Sequence, residues 1–428
     1  MTEHLPSLMG FYEDSEVAPK AISDFSDRAR GYVLTPEWLV RFMVELAEPQ
    51  SSACQVLEPA CAEAPFLRAF KEAYGSIHTL WGVDLYAPAL QQAIRYLPEA
   101  HLIEADFLLW KPPTAFDIVI GNPPYGIIGD QSHYPIHILK ARKALYKSLF
   151  HTWQGKFNVY GAFIEKSISV ASKNAKIVMV VPASWLVLND FSKLRAYLAR
   201  TGRISVYYLG KVFPGRSISC VVLLVEKGKQ GLLLYERDKL HLEKPIYHGE
   251  IIRFETPEIL KFEQSGIALK DVFSIYFAAR SSEFYRHADV SREYRPNYLP
   301  VLTGRNLKAG QIDYTTCYSG LWMAKAAVPT IRSFYGFPHV VMAHTKGIRV
   351  VAAVDDKGYP WREEYHLVPK VPHLPLQTLV DYLNSEPVQN YVQTLYRDFV
   401  PHLTLPMIER IPLPHSLVPI EYSGKLPL

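Results

Sequence analysis

Cysteine is scarce: four in 428 residues, at Cys54, Cys61, Cys220 and Cys317, with no CxxC pair. So few and so scattered, they build no disulfide framework, and with no short-spaced ligand set no metal site is expected. A reducing, cytoplasmic setting fits this usage. A run of about eighteen uncharged apolar residues is also missing, which excludes a membrane-spanning helix. The start, MTEHLPSLMGFYEDSE, lacks the basic residues and apolar stretch of a signal peptide. Internal repeats and low-complexity tracts are absent. What remains is a globular balance, 49% hydrophobic and 21% charged, in a chain long enough for two or three domains.

The net charge of +4 is unevenly spread. Residues 1–130 carry 8 Lys+Arg against 18 Asp+Glu, residues 131–350 carry 32 against 15, and residues 351–428 carry 6 against 9. A basic middle behind an acidic start points to one region that meets a polyanion and another that does not.

Residues 1–30 mix polar with scattered apolar residues and read as loosely ordered. From 31 to about 225, short apolar runs alternate with helical patterns. CQVLEPA, TLWGVDLY, FDIVIG, AKIVMVVP, ISVYYLG and SISCVVLLVEK read as strands. FLRAFKEAY, LQQAIRYL, GAFIEKSISVASK and FSKLRAYLARTG read as helices. The alternation predicts an α/β, Rossmann-like domain with a mostly parallel sheet, and the two consecutive final strands predict an antiparallel edge. EKGKQGLLLYERDKLHLEK reads as the exit, placing a boundary near residue 246. Beyond it, in 247–428, strands are fewer and loops longer, as in a smaller α+β domain. LQTLVDYLNSEPVQNYVQTLY is the clearest helical region there, with a break expected at Pro387.

Three acids stand at or just past strand ends: Glu58, Asp84 and Asp106. Open α/β sheets bind ligands there, and an acid after the second strand takes ribose hydroxyls. Asp106 with Phe107 can accept from an adenine amino group and pack on its ring. Three carboxylates repel phosphate, so a nucleoside with a cationic tail fits better than a nucleotide, and S-adenosylmethionine is such a ligand. Asn122-Pro123-Pro124-Tyr125 follows the apolar strand FDIVIG directly. The prolines stiffen the loop and remove two donors. The Asn122 side-chain oxygen and a proline carbonyl then form an acceptor pair for an exocyclic amine, on whose base Tyr125 can stack.

At these residues the chain resembles the adenine-specific N6-amino DNA methyltransferases of restriction–modification systems, the TaqI-like members of the gamma order, in which a target-recognition domain follows the cofactor-binding half. Thr35-Pro36 resembles the N-terminal TP motif. VLEPACAEAPFL, with Glu58 and Ala60, resembles the motif holding the methionine part of the cofactor. Asp84 and Leu85 match the ribose and adenine-edge positions, and Asp106-Phe107 the adenine pair. The resemblance makes Phe163 a wall of the adenine site and Phe213 the ring on the far face of a flipped base. LTGRNLK, SGLWM, MAHTKGIRVVAA, YPWREEYHL and TLYRDFVPHLTL extend it through the C-terminal part. One departure stands out: the segment 58–64 has no glycine, and Ala64 occupies the position of the last one expected. If φ is positive there, alanine costs about 1 kcal/mol or more.

In 301–350 there are 6 basic residues and 1 acidic one. Arg280, Arg305, Lys308, Lys346 and Arg349 fall in predicted loops, where they can reach phosphates and guanine edges. Arg397 precedes FVPHLTL, whose Pro401 sits in an apolar wedge able to fill the hole left by an extruded base. His344 and His402 read as hydrogen-bonded loop residues.

The resulting expectation is an S-adenosylmethionine-dependent enzyme that methylates adenine N6 in double-stranded DNA. Residues 31–246 are catalytic and 247–428 read the sequence, for which the resemblance implies 5′-TCGA-3′. A monomer paired functionally with a restriction endonuclease is the implied biology. Two other readings stay open: a DNA-binding relative with impaired catalysis, and an enzyme that modifies RNA guanine or a protein glutamine through a similar Asn-Pro-Pro-aromatic loop.

Overall fold

A computed structural model describes residues 33–128 and 140–418. The N-terminal segment expected to be loosely ordered lies outside them. The chain divides into two compact units, with the boundary between Arg253 and Phe254.

The first unit holds one nine-stranded sheet. Its strands are β1 (Gln55–Pro59), β2 (Thr79–Asp84), β3 (His101–Glu104), β4 (Phe116–Gly121), β5 (Ala171–Pro182), β6 (Gly202–Gly210), β7 (Cys220–Lys227), β8 (Leu232–Glu236) and β9 (Lys239–Lys244). They lie in the order 3-2-1-4-5-7-6-8-9. Neighbours are parallel from β3 through β5; β7 runs antiparallel between β5 and β6. The expected antiparallel edge is therefore wrong in place. The segment read as a domain exit forms β8, parallel to β6, and β9, antiparallel to β8. Leu232 and Leu234 of β8 are buried, so this hairpin extends the sheet past β6 and leaves the antiparallel pair inside it. β7 is buried along almost its whole length, which explains its unbroken apolar sequence CVVLLV.

Helices α1 (Glu37–Leu46), α2 (Pro65–Tyr74), α3 (Ala87–Tyr96), α4 (Lys143–Leu149), α5 (Val159–Val170) and α6 (Ser192–Thr201) alternate with the strands along the chain. α1 buries Leu39, Val40, Phe42, Met43, Val44 and Leu46. α5 is buried on nearly every side. The chain runs outward from β1 through β2 to β3, then returns to β4 on the other flank of β1. That reversal opens a crevice beyond the carboxyl ends of β1 and β4.

The second unit is α+β. Phe273–Phe277, Tyr365–Pro369, His339–Met342 and Ala352–Asp355 form a four-stranded antiparallel sheet, in that order. A core of Phe284, Met323, Tyr335 and Trp361 lies with it. The long helical region consists of two helices, Leu376–Leu383 and Glu386–Tyr396. The break precedes Pro387, which sits in the first turn of the second helix, where its missing N–H costs nothing.

Candidate active site

The switch-point crevice is a cavity of about 310 Å³. Thr35, Glu58, Ala60, Asp84, Leu85, Asp106, Phe107, Asn122, Pro124 and Phe163 all line it, as do Ala62 and Glu63. Residues from six sequence segments are thus brought to one place by the strand order.

Glu58, Asp84 and Asp106 are each held by backbone amides. Glu58 is 2% exposed and accepts from the Leu67 N–H at 3.0 Å, closing the start of α2. Burial pushes its carboxyl well above the usual range, against the pull of the Leu67 and Phe66 amides. Asp84 accepts from Ala62 N and Tyr86 N, both at 2.8 Å. Asp106 Oδ1 accepts from Leu108 N at 3.0 Å, while Oδ2 accepts from Arg142 and Tyr146. Phe107 and Phe163 lie 5.3 Å apart, tilted by 33°, beside it. The glycine-free loop takes left-handed backbone at three alanines, Ala60, Ala62 and Ala64, with φ of 53°, 46° and 54°.

Asn122 is fixed in an informative way. Its Nδ2 donates to the Val33 carbonyl at 3.1 Å and to Thr35 Oγ1 at 3.0 Å. A carbonyl only accepts, so the amide orientation is determined. Its Oδ1 is buried and meets no donor among the described residues. The Thr35 contact spans 87 positions, and no spacing in the sequence signals it. Tyr125 is 4% exposed, and its hydroxyl donates to the Val180 carbonyl at 3.0 Å. Burial raises its phenol well above the ordinary value, so it stays neutral. Phe213, also 4% exposed, meets Tyr125 edge-on at 6.0 Å and 69°. Standing so, the two rings leave no parallel slot between them.

In the second unit, Arg280, Arg305, Lys346 and Arg349 are exposed. Three of their loops converge on a glutamate pair that sequence reasoning missed. Glu364, 2% exposed, accepts from His344 N at 2.6 Å and from the Gly304 amide. A Cβ at Gly304 would lie 2.5 Å from Glu364 Oε1, so only glycine allows this approach. Neighbouring Glu363 accepts from Ser281, next to Arg280. His344 packs on His402 at 4.0 Å, and burial lowers its imidazole to about 4. The wedge is not an apolar projection: Phe399, Val400 and Leu403 are buried, which leaves only Pro401 and Leu405 of its apolar residues exposed. The Arg397 guanidinium lies 4.8 Å over the Phe254 ring.

Sheet order and switch-point cavity define a Rossmann-like methyltransferase domain followed by an α+β domain. Residues 76–213 match the Eco57I restriction-modification methylase family, and residues 299–413 the TaqI-like C-terminal specificity domain. The chain is 55% identical over 397 residues to type II methyltransferase M.TthHB8I of Thermus thermophilus, across 90% of this chain and 91% of that one. To type II methyltransferase M.XhoI of Xanthomonas vasicola it is 26% identical over 205 residues, 46% of this chain and 35% of that one. Two solved structures share its fold. One is the DrdV–DNA complex, with TM-score 0.53 and 12% identity over 80% of this chain and 50% of that chain. The other is a nuclease-deletion mutant of the type ISP restriction-modification enzyme LlaGI with a DNA substrate mimic, with TM-score 0.52 and 10% identity over 79% and 48%. The chain thus spans about half the length of these two.

The chain belongs to the type II methyltransferases of restriction–modification systems. S-adenosylmethionine is its methyl donor. The cavity fits that molecule: its lining includes the carboxylates Glu58, Glu63, Asp84 and Asp106 and the amides of Gln92 and Asn122, whose oxygens accept from hydroxyls and amines, and among the described residues no lysine or arginine lines it to take a phosphate.

Proposed function

We propose that the enzyme methylates the N6 amine of an adenine rotated out of double-stranded DNA, within a short sequence for which 5′-TCGA-3′ is the first to test. The observation that carries this reading is the buried Oδ1 of Asn122 in the cofactor cavity, which has no partner among the described residues. A buried acceptor left without a donor costs about 1–3 kcal/mol, which an incoming N–H removes. The donor supplies an electrophilic methyl group. Asn122 Oδ1 and the Pro124 carbonyl accept the two amine hydrogens, drawing the nitrogen lone pair out of conjugation and aiming it along the transfer axis. Tyr125 is a neutral wall for the base, and the proton leaves later from the acidic methylated ammonium. Asp84 takes the ribose hydroxyls, Leu85, Phe107 and Phe163 flank the adenine of the donor, and Glu58 and Ala60 border its amino-acid end. Arg280, Arg305, Lys346, Arg349, Arg397 and Pro401 serve the DNA. The enzyme acts as a cytoplasmic monomer that protects sites from a restriction endonuclease.

The three left-handed alanines support a second reading, a DNA-binding relative with weakened cofactor affinity. Calorimetric titration with S-adenosylmethionine separates the two. Incubation with tritiated S-adenosylmethionine and plasmid DNA, followed by mapping of N6-methyladenine, tests the main proposal; label on cytosine, on RNA or on protein would overturn it.

A further inference from the structure

Asp106 is not a free acceptor. Its Oδ2 takes the Tyr146 hydroxyl at 2.5 Å and Arg142 Nη1 at 2.7 Å, while Oδ1, among the described residues, takes only the Leu108 amide at 3.0 Å. A carboxylate oxygen has two in-plane lone pairs. Oδ2 is therefore filled, and Oδ1 alone keeps a lone pair for a ligand. The Tyr146 ring is fully buried, and the Asp106 side chain is 8% exposed against 44% for Arg142. Burial, and then the bond to Asp106, hold the phenol protonated well above its ordinary value. The tyrosine is thus a permanent donor on a fixed ring, reaching across 40 positions from the middle of α4.

We propose that Tyr146 is a positioning residue for the purine end of the cofactor: by occupying Oδ2 it locks the Asp106 carboxylate with Oδ1 toward the cavity, so that this subsite selects a 6-amino over a 6-oxo purine. Arg142 supplies the counter-charge from outside. The inference rests on the reading of Asp106 as the partner of the adenine amine. A carboxylate accepts and cannot donate, so the amine is bonded and a carbonyl in its place is repelled. Without Tyr146 the carboxylate can turn, Oδ1 loses its aim, and the preference falls.

The probes are S-adenosylhomocysteine and its deaminated form, S-inosylhomocysteine, titrated by calorimetry into the full-length protein and its variants. The wild type is expected to prefer the adenosyl ligand by about tenfold or more, the value of one hydrogen bond near 1.4 kcal/mol. Tyr146→Phe should lose most of that preference by weakening the adenosyl ligand, with the inosyl affinity unchanged or raised as the repulsion is relieved, and should raise KM for S-adenosylmethionine more than it lowers kcat. Arg142→Gln, at an exposed position, should narrow the preference in the same direction. Equal weakening of both ligands by Tyr146→Phe indicates a merely structural tyrosine and overturns the proposal, as does an unaltered preference. Asp106→Ala identifies which reading has failed. If it abolishes a preference that Tyr146→Phe retains, the positioning role alone is wrong. If wild type and Asp106→Ala bind both ligands alike, the assignment of Asp106 falls as well.

Discussion

Asn122 is held by what surrounds it rather than by its own loop. With Nδ2 tied to Val33 and Thr35, the free Oδ1 is a preorganised acceptor that needs no reorientation during reaction. Asn122→Ala should lower single-turnover methylation by about 10²–10³-fold while leaving cofactor and DNA affinity largely intact. Thr35→Val removes one of the two acceptors and should slow the same step by about tenfold, the effect of one hydrogen bond. A wild-type rate in either variant contradicts this account of the loop. At Glu364 the pH dependence has a definite sign. Burial raises the folded carboxyl to about 7 from an ordinary 4.5. The unfolded chain therefore releases this proton first, and stability is lost as pH rises from about 4.5 through 7, by at most about 3 kcal/mol. Glu364→Gln, which mimics the protonated form, should match the wild type in urea at pH 4.5 and exceed it at pH 8. Equal stabilities at pH 8 would falsify a carboxyl raised by burial beyond what its two amide donors offset.

At the scale of elements, the loop from β1 to α2 carries the conformational cost. Each left-handed alanine costs about 1–2 kcal/mol. Glycine removes that cost but gives back about 0.4–1 kcal/mol through a freer unfolded chain. At Ala64, fully buried, losing the methyl group costs about a further 0.8 kcal/mol, so Ala64→Gly should be near neutral. Ala62 is partly exposed and its amide is anchored on Asp84, so Ala62→Gly should stabilise by up to about 1 kcal/mol. Urea unfolding of both variants checks the ordering. The local pattern was already legible here: periodic apolar residues in FLRAFKEAY gave α2, and Gly75 follows its last residue. The failures were of pairing. EKGKQGLLLYERDKLHLEK reads locally as a charged exit, and only the open flank of β6 makes its LLLYE a strand.

For the whole molecule, the charge excess in 131–350 bears on DNA. Contacts to about six phosphates give a slope near −5 for log affinity against log salt. Arg280→Ala, Arg305→Ala and Arg349→Ala should each lower affinity; a residue touching only phosphate should flatten the slope by about one, and one reading a base should instead relax sequence preference. A salt-independent affinity would remove the electrostatic basis for assigning these residues to DNA.

The amino-acid pattern alone specifies the α/β class, most strands and helices of the first unit, and the chemical types at the site. Those follow from apolar periodicity and from residues whose chemistry is local: carboxylates at strand ends, and an asparagine before two prolines. Which groups are already satisfied is set by packing across the folded unit. Strand order put Thr35 on Asn122, Tyr146 on Asp106, and His344 on Glu364, contacts separated by 87, 40 and 20 positions. Hydrogen-bond partners at such separations leave no periodic trace in sequence, because the sheet and loop packing that bring them together depend on the whole unit at once. Whether a carboxylate is an open acceptor or a closed one, and whether FVPHLTL projects or packs, is set by that burial rather than by its residues alone.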